Sequence, residues 1–224
     1  VFLNQRRILR ESKMKFIAQI LVLLCFTTLA SAEEGGRPYV SIRPLGFTFS
    51  ADTEVLEQNQ DINRGWAVGG SIGASLNDYF KIDLLAIDYA ENKYGGSEVD
   101  TLTIMPVLKV GLFGGDFALK PYATLGLGAS HVNFQFEDSQ IPDLDGWGLG
   151  WQVGAGVDYP IPSRNLAIGV FYRYSSSVSL SEDWDPVVSD YALPTEIRNK
   201  MKAGWEVNYH SIGIEIRFGG VLNP

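Results

Sequence analysis

The sequence predicts an all-β chain, an eight-stranded antiparallel up-and-down transmembrane β-barrel. Three observations predict it. Apolar residues recur at every second position over long stretches, the opposite face of those stretches is glycine or charge, and the connections between them alternate short and long. The 224 residues are 46% hydrophobic, which supports one sizeable core and one folded unit.

The N-terminal 32 residues are set apart from that unit. Met14 is the plausible initiator, so residues 1–13 read as an upstream extension. Around Met14, Lys13 and Lys15 precede an apolar run over 16–29 and the small residues Ala30, Ser31 and Ala32, the three parts of a cleavable secretory signal. That run falls short of the roughly 20 residues of a spanning helix. The expected division is therefore 1–32, extension plus signal, and 33–224, the barrel, exported to the bacterial outer membrane. Cys25, the one cysteine, leaves with the signal, so the exported chain has no disulfide and no thiol nucleophile. Leu23 and Leu24 precede it where a lipidation site needs small residues. Removing 1–32 leaves 13 basic against 25 acidic residues, a net charge of −12. A surface so acidic lacks the basic face that phosphate backbones require, which excludes nucleic acid as a partner.

Residues 147–159, WGLGWQVGAGVDY, carry the clearest alternation. Trp147, Leu149, Trp151, Val153, Ala155, Val157 and Tyr159 form one face, and Gly148, Gly150, Gln152, Gly154, Gly156 and Asp158 the other. Glycine on a water-facing surface only weakens a strand, whereas inside a narrow lumen it makes room. The run also exceeds the usual globular strand and suits the roughly 9 to 11 residues of a tilted membrane strand.

Seven further segments follow the same template. Segment 38–50 comes first, its alternation blurred by Pro44 and Gly46, and 65–76 turns Trp66, Val68, Ile72, Ala74 and Leu76 to lipid. In 79–89 the phase of Phe80 assigns Ile82, Leu84 and Ala86 to lipid and sends Lys81 and Asp83 inward. Segment 101–112 faces lipid with Leu102, Ile104, Pro106, Leu108, Val110 and Leu112. Segment 117–134 is expected to slip phase near 129–131, either at a bulge or where the strand leaves the membrane. Segment 165–175 presents Leu166, Ile168, Val170, Tyr172 and Tyr174, and 204–218 ends in Ile212, Ile214, Ile216 and Phe218. The short turns are Asn77-Asp78, Gly114-Gly115-Asp116 and 160–164; the long loops are 51–64, 90–98, 135–146 and 176–203. With both termini periplasmic, Trp66, Tyr89, Trp147, Tyr174 and Trp205 gather toward the loops and Phe80, Phe117, Tyr159 and Phe218 toward the turns, as two aromatic girdles.

Lys120-Pro121-Tyr122 with the glycine-rich 123–128, the run GWQVGAGVDYP at 150–160, and the closing strand 210–218 together resemble the small eight-stranded outer-membrane barrels of the OmpA/OmpX, OmpW and opacity-protein type. The resemblance spans most of 37–218. It implies that Ser211, Gly213, Ile216 and Phe218 fill the assembly signal read by the barrel-assembly machinery, although six residues, GGVLNP, follow Phe218 where the family pattern ends.

Three places carry residues with the potential for chemistry. Some barrels of this type resemble lipid A-modifying enzymes, whose deacylase pairs His and Ser across one intervening residue; here His210 directly precedes Ser211, and strand neighbours point to opposite faces. His210 and His131 read instead as polar residues near the loop-side ends of their strands. The pairs Asp143 with Asp145 and Asp183 with Asp185 place alternate carboxylates in loops, as a divalent cation prefers, but neither begins a recognised calcium loop. No catalytic residue, cofactor or metal is assigned. Within the lumen, Arg43, Lys81, Lys109, Lys120, Arg173 and Arg217 stand against Asp83, Asp158 and Glu215, as either a charged pathway or an ion-pair network filling the space. Phe171, Tyr122 and Arg173 share the face of the glycines and favour filling.

The function expected from this pattern is structural, surface-display or interactive, through acidic extracellular loops, with outer-membrane lipid and lipopolysaccharide as neighbours. A narrow transporter of small, hydrophobic molecules, as OmpW-type resemblance implies, is the alternative, and a lipid A-modifying enzyme the third reading. The sequence names no loop ligand.

Overall fold

The computed structural model describes residues 37–49, 52–55, 58–61, 64–94, 97–135, 144–179 and 205–220. The expected extension and signal, the acidic pairs at 143/145 and 183/185, and the end of the tail lie outside the described side chains. Among the described residues there are ten strands: β1 (Arg37–Phe49), β2 (Asp52–Val55), β3 (Gln58–Asp61), β4 (Arg64–Ser75), β5 (Phe80–Tyr94), β6 (Ser97–Gly111), β7 (Lys120–Gln135), β8 (Leu144–Ile161), β9 (Leu166–Ser179) and β10 (Trp205–Gly219). β1 and β4 to β10 pair antiparallel in sequence order, and β10 returns to β1. The result is a closed eight-stranded up-and-down barrel, which leaves its wall no free edge in the bilayer.

The outer face explains itself as lipid contact. Leu84, Leu125, Val153, Val170 and Ile212 are exposed although large and apolar, an arrangement that only hydrocarbon can cover. Tyr79, Phe80, Phe117, Tyr159 and Phe218 are exposed at the turn end. At the loop end Trp66 packs on Tyr89 at 5.5 Å, His131 on Trp147 at 5.0 Å and Trp151 on Tyr174 at 5.3 Å. The wall strands run 12 to 18 residues, longer than the bilayer needs, so they continue outward beyond these rings.

That continuation revises the connections. The 90–98 loop shrinks, because β5 runs to Tyr94 and β6 begins at Ser97. The 51–64 loop holds the β2–β3 hairpin, whose β2 pairs with the start of β10, Val55 opposite Trp205. The turn after β6 is broader than Gly114-Gly115-Asp116: it spans 112–119 and docks on its neighbour, Phe113 N donating to Asp78 O at 2.7 Å.

Two bulges correct the expected facing. In β1 one extra residue sits between Arg43 and Gly46, at the proline that cannot donate to the ladder, so Pro44 and Leu45 are both exposed. In β5 the register shifts between Asp83 and Ala86. Leu84 and Leu85 both face outward, and Ala86, expected in lipid, is 1% exposed inside. By contrast, β7 does not slip near 129–131: its even residues stay inward throughout, ending in Val132 and Phe134. Val132 and Phe134, with Val99 and Val207, fill the lumen where it rises past the bilayer, so the inward face there is apolar.

Leu84 supplies a direct test of depth. It lies midway between Phe80 and Tyr89, so Leu84→Arg should destabilise the barrel by about 2 to 4 kcal/mol in urea titrations in lipid vesicles. An unchanged midpoint would place Leu84 away from hydrocarbon.

Candidate functional site: a lumen crossed by ion pairs

Every lumen residue named from the sequence is buried inside the wall: Arg43, Lys81, Asp83, Lys109, Lys120, Asp158, Arg173, Glu215 and Arg217. Charge this deep persists only when paired. Two layers achieve it.

The middle layer centres on Asp88. Arg43 Nε donates to Asp88 Oδ1 at 2.8 Å, and Arg173 Nη1 donates to Asp88 Oδ2 at 2.6 Å and to Gln152 Oε1 at 2.9 Å. β4 separates Arg43 from Asp88, and at that level it carries Gly69, opposite both. A Cβ there would run into Asp88 Oδ1, so glycine is what lets the guanidinium reach across. β5 and β9 are four strands apart in an eight-stranded ring, so the Arg173–Asp88 pair crosses the lumen.

The layer nearer the turns crosses it a second time. Lys109 on β6 donates to Glu215 on β10 at 2.7 Å and lies 3.4 Å from Asp83. Arg217 holds Asp158 at 2.7 Å and Glu215 at 3.4 Å. Tyr39 donates its hydroxyl to Asp83 at 2.6 Å, and its ring is approached by Lys81, Lys109 and Arg217 within about 6 Å. Lys81 lies 4.3 Å over the Phe113 ring. Lys120 is not brought to a carboxylate; its ammonium donates to the carbonyls of Gly114 and Gly115 and so fastens the β6–β7 turn.

Asp88 is the residue that sequence reading missed. With β5 held in a single phase it falls on the lipid side. The adjacent Leu84-Leu85 is the signal that could have found it: two consecutive apolar residues break alternation, and slipping the phase there turns Asp88 inward.

Of the residues weighed for chemistry, His210 faces outward, stacked 5.5 Å from Phe49 and bonded through Nδ1 to Tyr172 Oη at 2.7 Å, while Ser211 is buried on the lumen side. They do not meet as nucleophile and base. The closing strand places Ser211 and Gly213 on the inner face and Ile216 and Phe218 on the outer. After Phe218 the chain does not run free: Gly219 and Gly220 adopt φ of 87° and 62°, and Gly219 N donates to Asn165 O at 2.8 Å. Glycine is favoured at both because L side chains strain there. Above the loop-side ring, the carboxylates of Glu91, Glu98 and Asp100 lie within 4.8 Å of one another on the outer face, with Tyr89 and Gln135 donating to Asp100. An acidic cluster alone assigns no metal.

A closed antiparallel barrel, apolar outside, charged inside and ringed by aromatics at both ends, defines a bacterial outer-membrane barrel protein. The chain belongs to the outer membrane protein beta-barrel domain family, whose model matches residues 18–218. Among solved structures it is similar to Neisserial surface protein A, from Neisseria, at 15% identity over 83% of this chain and 97% of that one, TM-score 0.52. It also matches the N-terminal β-barrel domain of OprF from Pseudomonas aeruginosa (17% identity, 83% and 100% covered, TM-score 0.42) and Ail, the attachment invasion locus protein of Yersinia pestis (15%, 83% and 100%, 0.40). No curated protein matches the sequence. At these identities the solved structures speak for the fold alone.

Proposed function

We propose that the protein is an anchored scaffold that displays acidic loops at the cell surface, rather than a conduit. The observation that carries this reading is the pair of ion pairs crossing the lumen, Arg173–Asp88 and Lys109–Glu215. Eight strands enclose space for little more than their own inward side chains, and here those side chains are bonded across the ring. The loops, on a mature chain of net charge −12, then supply the contact surface, with lipopolysaccharide bridged through divalent cations as the nearest partner.

Planar-bilayer recording of the refolded mature protein tests it. No large, stable conductance is expected; a porin-like open level would overturn the scaffold reading and favour the narrow transporter.

The same reading includes export through the signal and insertion by the assembly machinery. N-terminal sequencing of membrane-fractionated protein should begin at Glu33. Phe218→Ala should lower the yield of folded barrel in cells several-fold, whereas deleting 221–224 should change it little. The reverse order would move the assembly information from the aromatic to the tail.

A further inference from the structure

We propose that the middle of the lumen binds one ordered water molecule, held by Tyr122 Oη, Arg173 Nε and Asp83 Oδ2. These three atoms are buried and take no hydrogen bond among the described residues. Their residues line one cavity of about 20 Å³, together with Arg43, Lys109 and Glu215. Leaving a buried polar atom unbonded costs about 1 to 3 kcal/mol, and a cavity of roughly 10 to 15 Å³ or more admits a water when it offers two to four polar partners. Size and partners both meet that requirement.

Charge and bonding capacity decide what the occupant is. In the two paired layers four cations, Arg43, Lys109, Arg173 and Arg217, face four carboxylates, Asp83, Asp88, Asp158 and Glu215. Lys81, over the Phe113 and Tyr39 rings, and Lys120, on the turn carbonyls, lie toward the turn end and do not line the cavity. The paired groups of the two layers are therefore balanced among themselves, and the bonding capacity of the three unbonded atoms selects the occupant. The unbonded set is two donors, Tyr122 Oη–H and Arg173 Nε–H, and one acceptor, Asp83 Oδ2, whose ion pair with Lys109 is long at 3.4 Å. A water accepts from both donors and donates to the carboxylate, whereas chloride would face that carboxylate with nothing to donate. The water would join the middle layer, through Arg173, to the turn-side layer, through Asp83. This goes beyond the scaffold reading and stands whether or not that reading holds.

The test is a crystal structure of the full mature barrel at a resolution that orders water, grown once with chloride and once with bromide. One density peak within hydrogen-bond distance of all three atoms, without bromide anomalous signal, is the expected result. An empty cavity, a bromide peak, or density that misses these atoms overturns the proposal. Val107 lines the same cavity, so Val107→Leu should fill it and abolish the peak while the Arg173–Asp88 pair remains. Should that variant not fold, the water cross-relaxation peak of the Tyr122 hydroxyl in the unmodified protein decides: present it supports the site, absent it removes it.

Discussion

Asp88→Ala should cost about 3 to 5 kcal/mol, the usual penalty for stripping the partner from a buried charge, and here it strips two at once. Arg43 and Arg173 share that one carboxylate, and neither makes another ion pair among the described residues. Since folded proteins hold only about 5 to 15 kcal/mol in total, the loss should shift the urea midpoint of the vesicle-reconstituted barrel far toward zero denaturant. Glu215→Ala should do less. Its partners keep other carboxylates, Lys109 with Asp83 and Arg217 with Asp158. Arg173→Ala should also do less, because Asp88 then retains Arg43. The measurement is heat-modifiability on a gel across a urea series. Equal midpoints for Asp88→Ala and Glu215→Ala would show that the middle layer does not carry the weight given to it.

The ordering bears on function as well as stability. On the scaffold reading the lumen opens only if the bonds that cross it break, and the two crossing pairs differ in their reserves. Glu215 sits in a chain of alternating charges that can lose one member, whereas Asp88 has no substitute. If any conductance appears in single variants, it should appear first in Asp88→Ala.

The closed barrel was legible in the sequence because its two faces obey one rule. Lipid demands apolar residues on every outward position, so β6 and β8 read without error from Leu102 to Leu112 and from Trp147 to Tyr159. The rule weakens in two circumstances, and both caused errors. Where a bulge inserts one residue, every later side chain changes face, and the single slip at Leu84-Leu85 moved Ala86 and Asp88 together. Where the wall outgrows the bilayer, the outside turns polar and the inside apolar, so Glu91 and Asp100 on one face and Val99 and Val132 on the other reverse the expected code. The partners inside the lumen were not legible at all. Alternation shows that Arg173 points inward, but that it meets Asp88 rather than Asp83 depends on barrel closure, which sets strands four apart in the ring opposite one another.

Gly69 offers a second test of the Asp88 clamp, by moving its carboxylate to the neighbouring strand. It stands between Arg43 and Asp88, and any side chain there meets Asp88 Oδ1, with Ile87 O only 2.7 Å from its Cβ position. Gly69→Asp should therefore lose about 1 to 3 kcal/mol to overpacking, and more from a second carboxylate placed beside the first. Asp88→Gly alone should match Asp88→Ala in unpairing both arginines. The double variant Gly69→Asp/Asp88→Gly returns one carboxylate to the same level, moved one strand along, next to Arg43 and within the sweep of the long Arg173 side chain. Its loss of stability should be smaller than the sum of the two single losses by about 0.5 to 3 kcal/mol, the coupling expected of residues in direct contact. Strict additivity in the same urea series would mean that Gly69 and Asp88 do not share one space, and that the glycine opposite the clamp serves only the backbone.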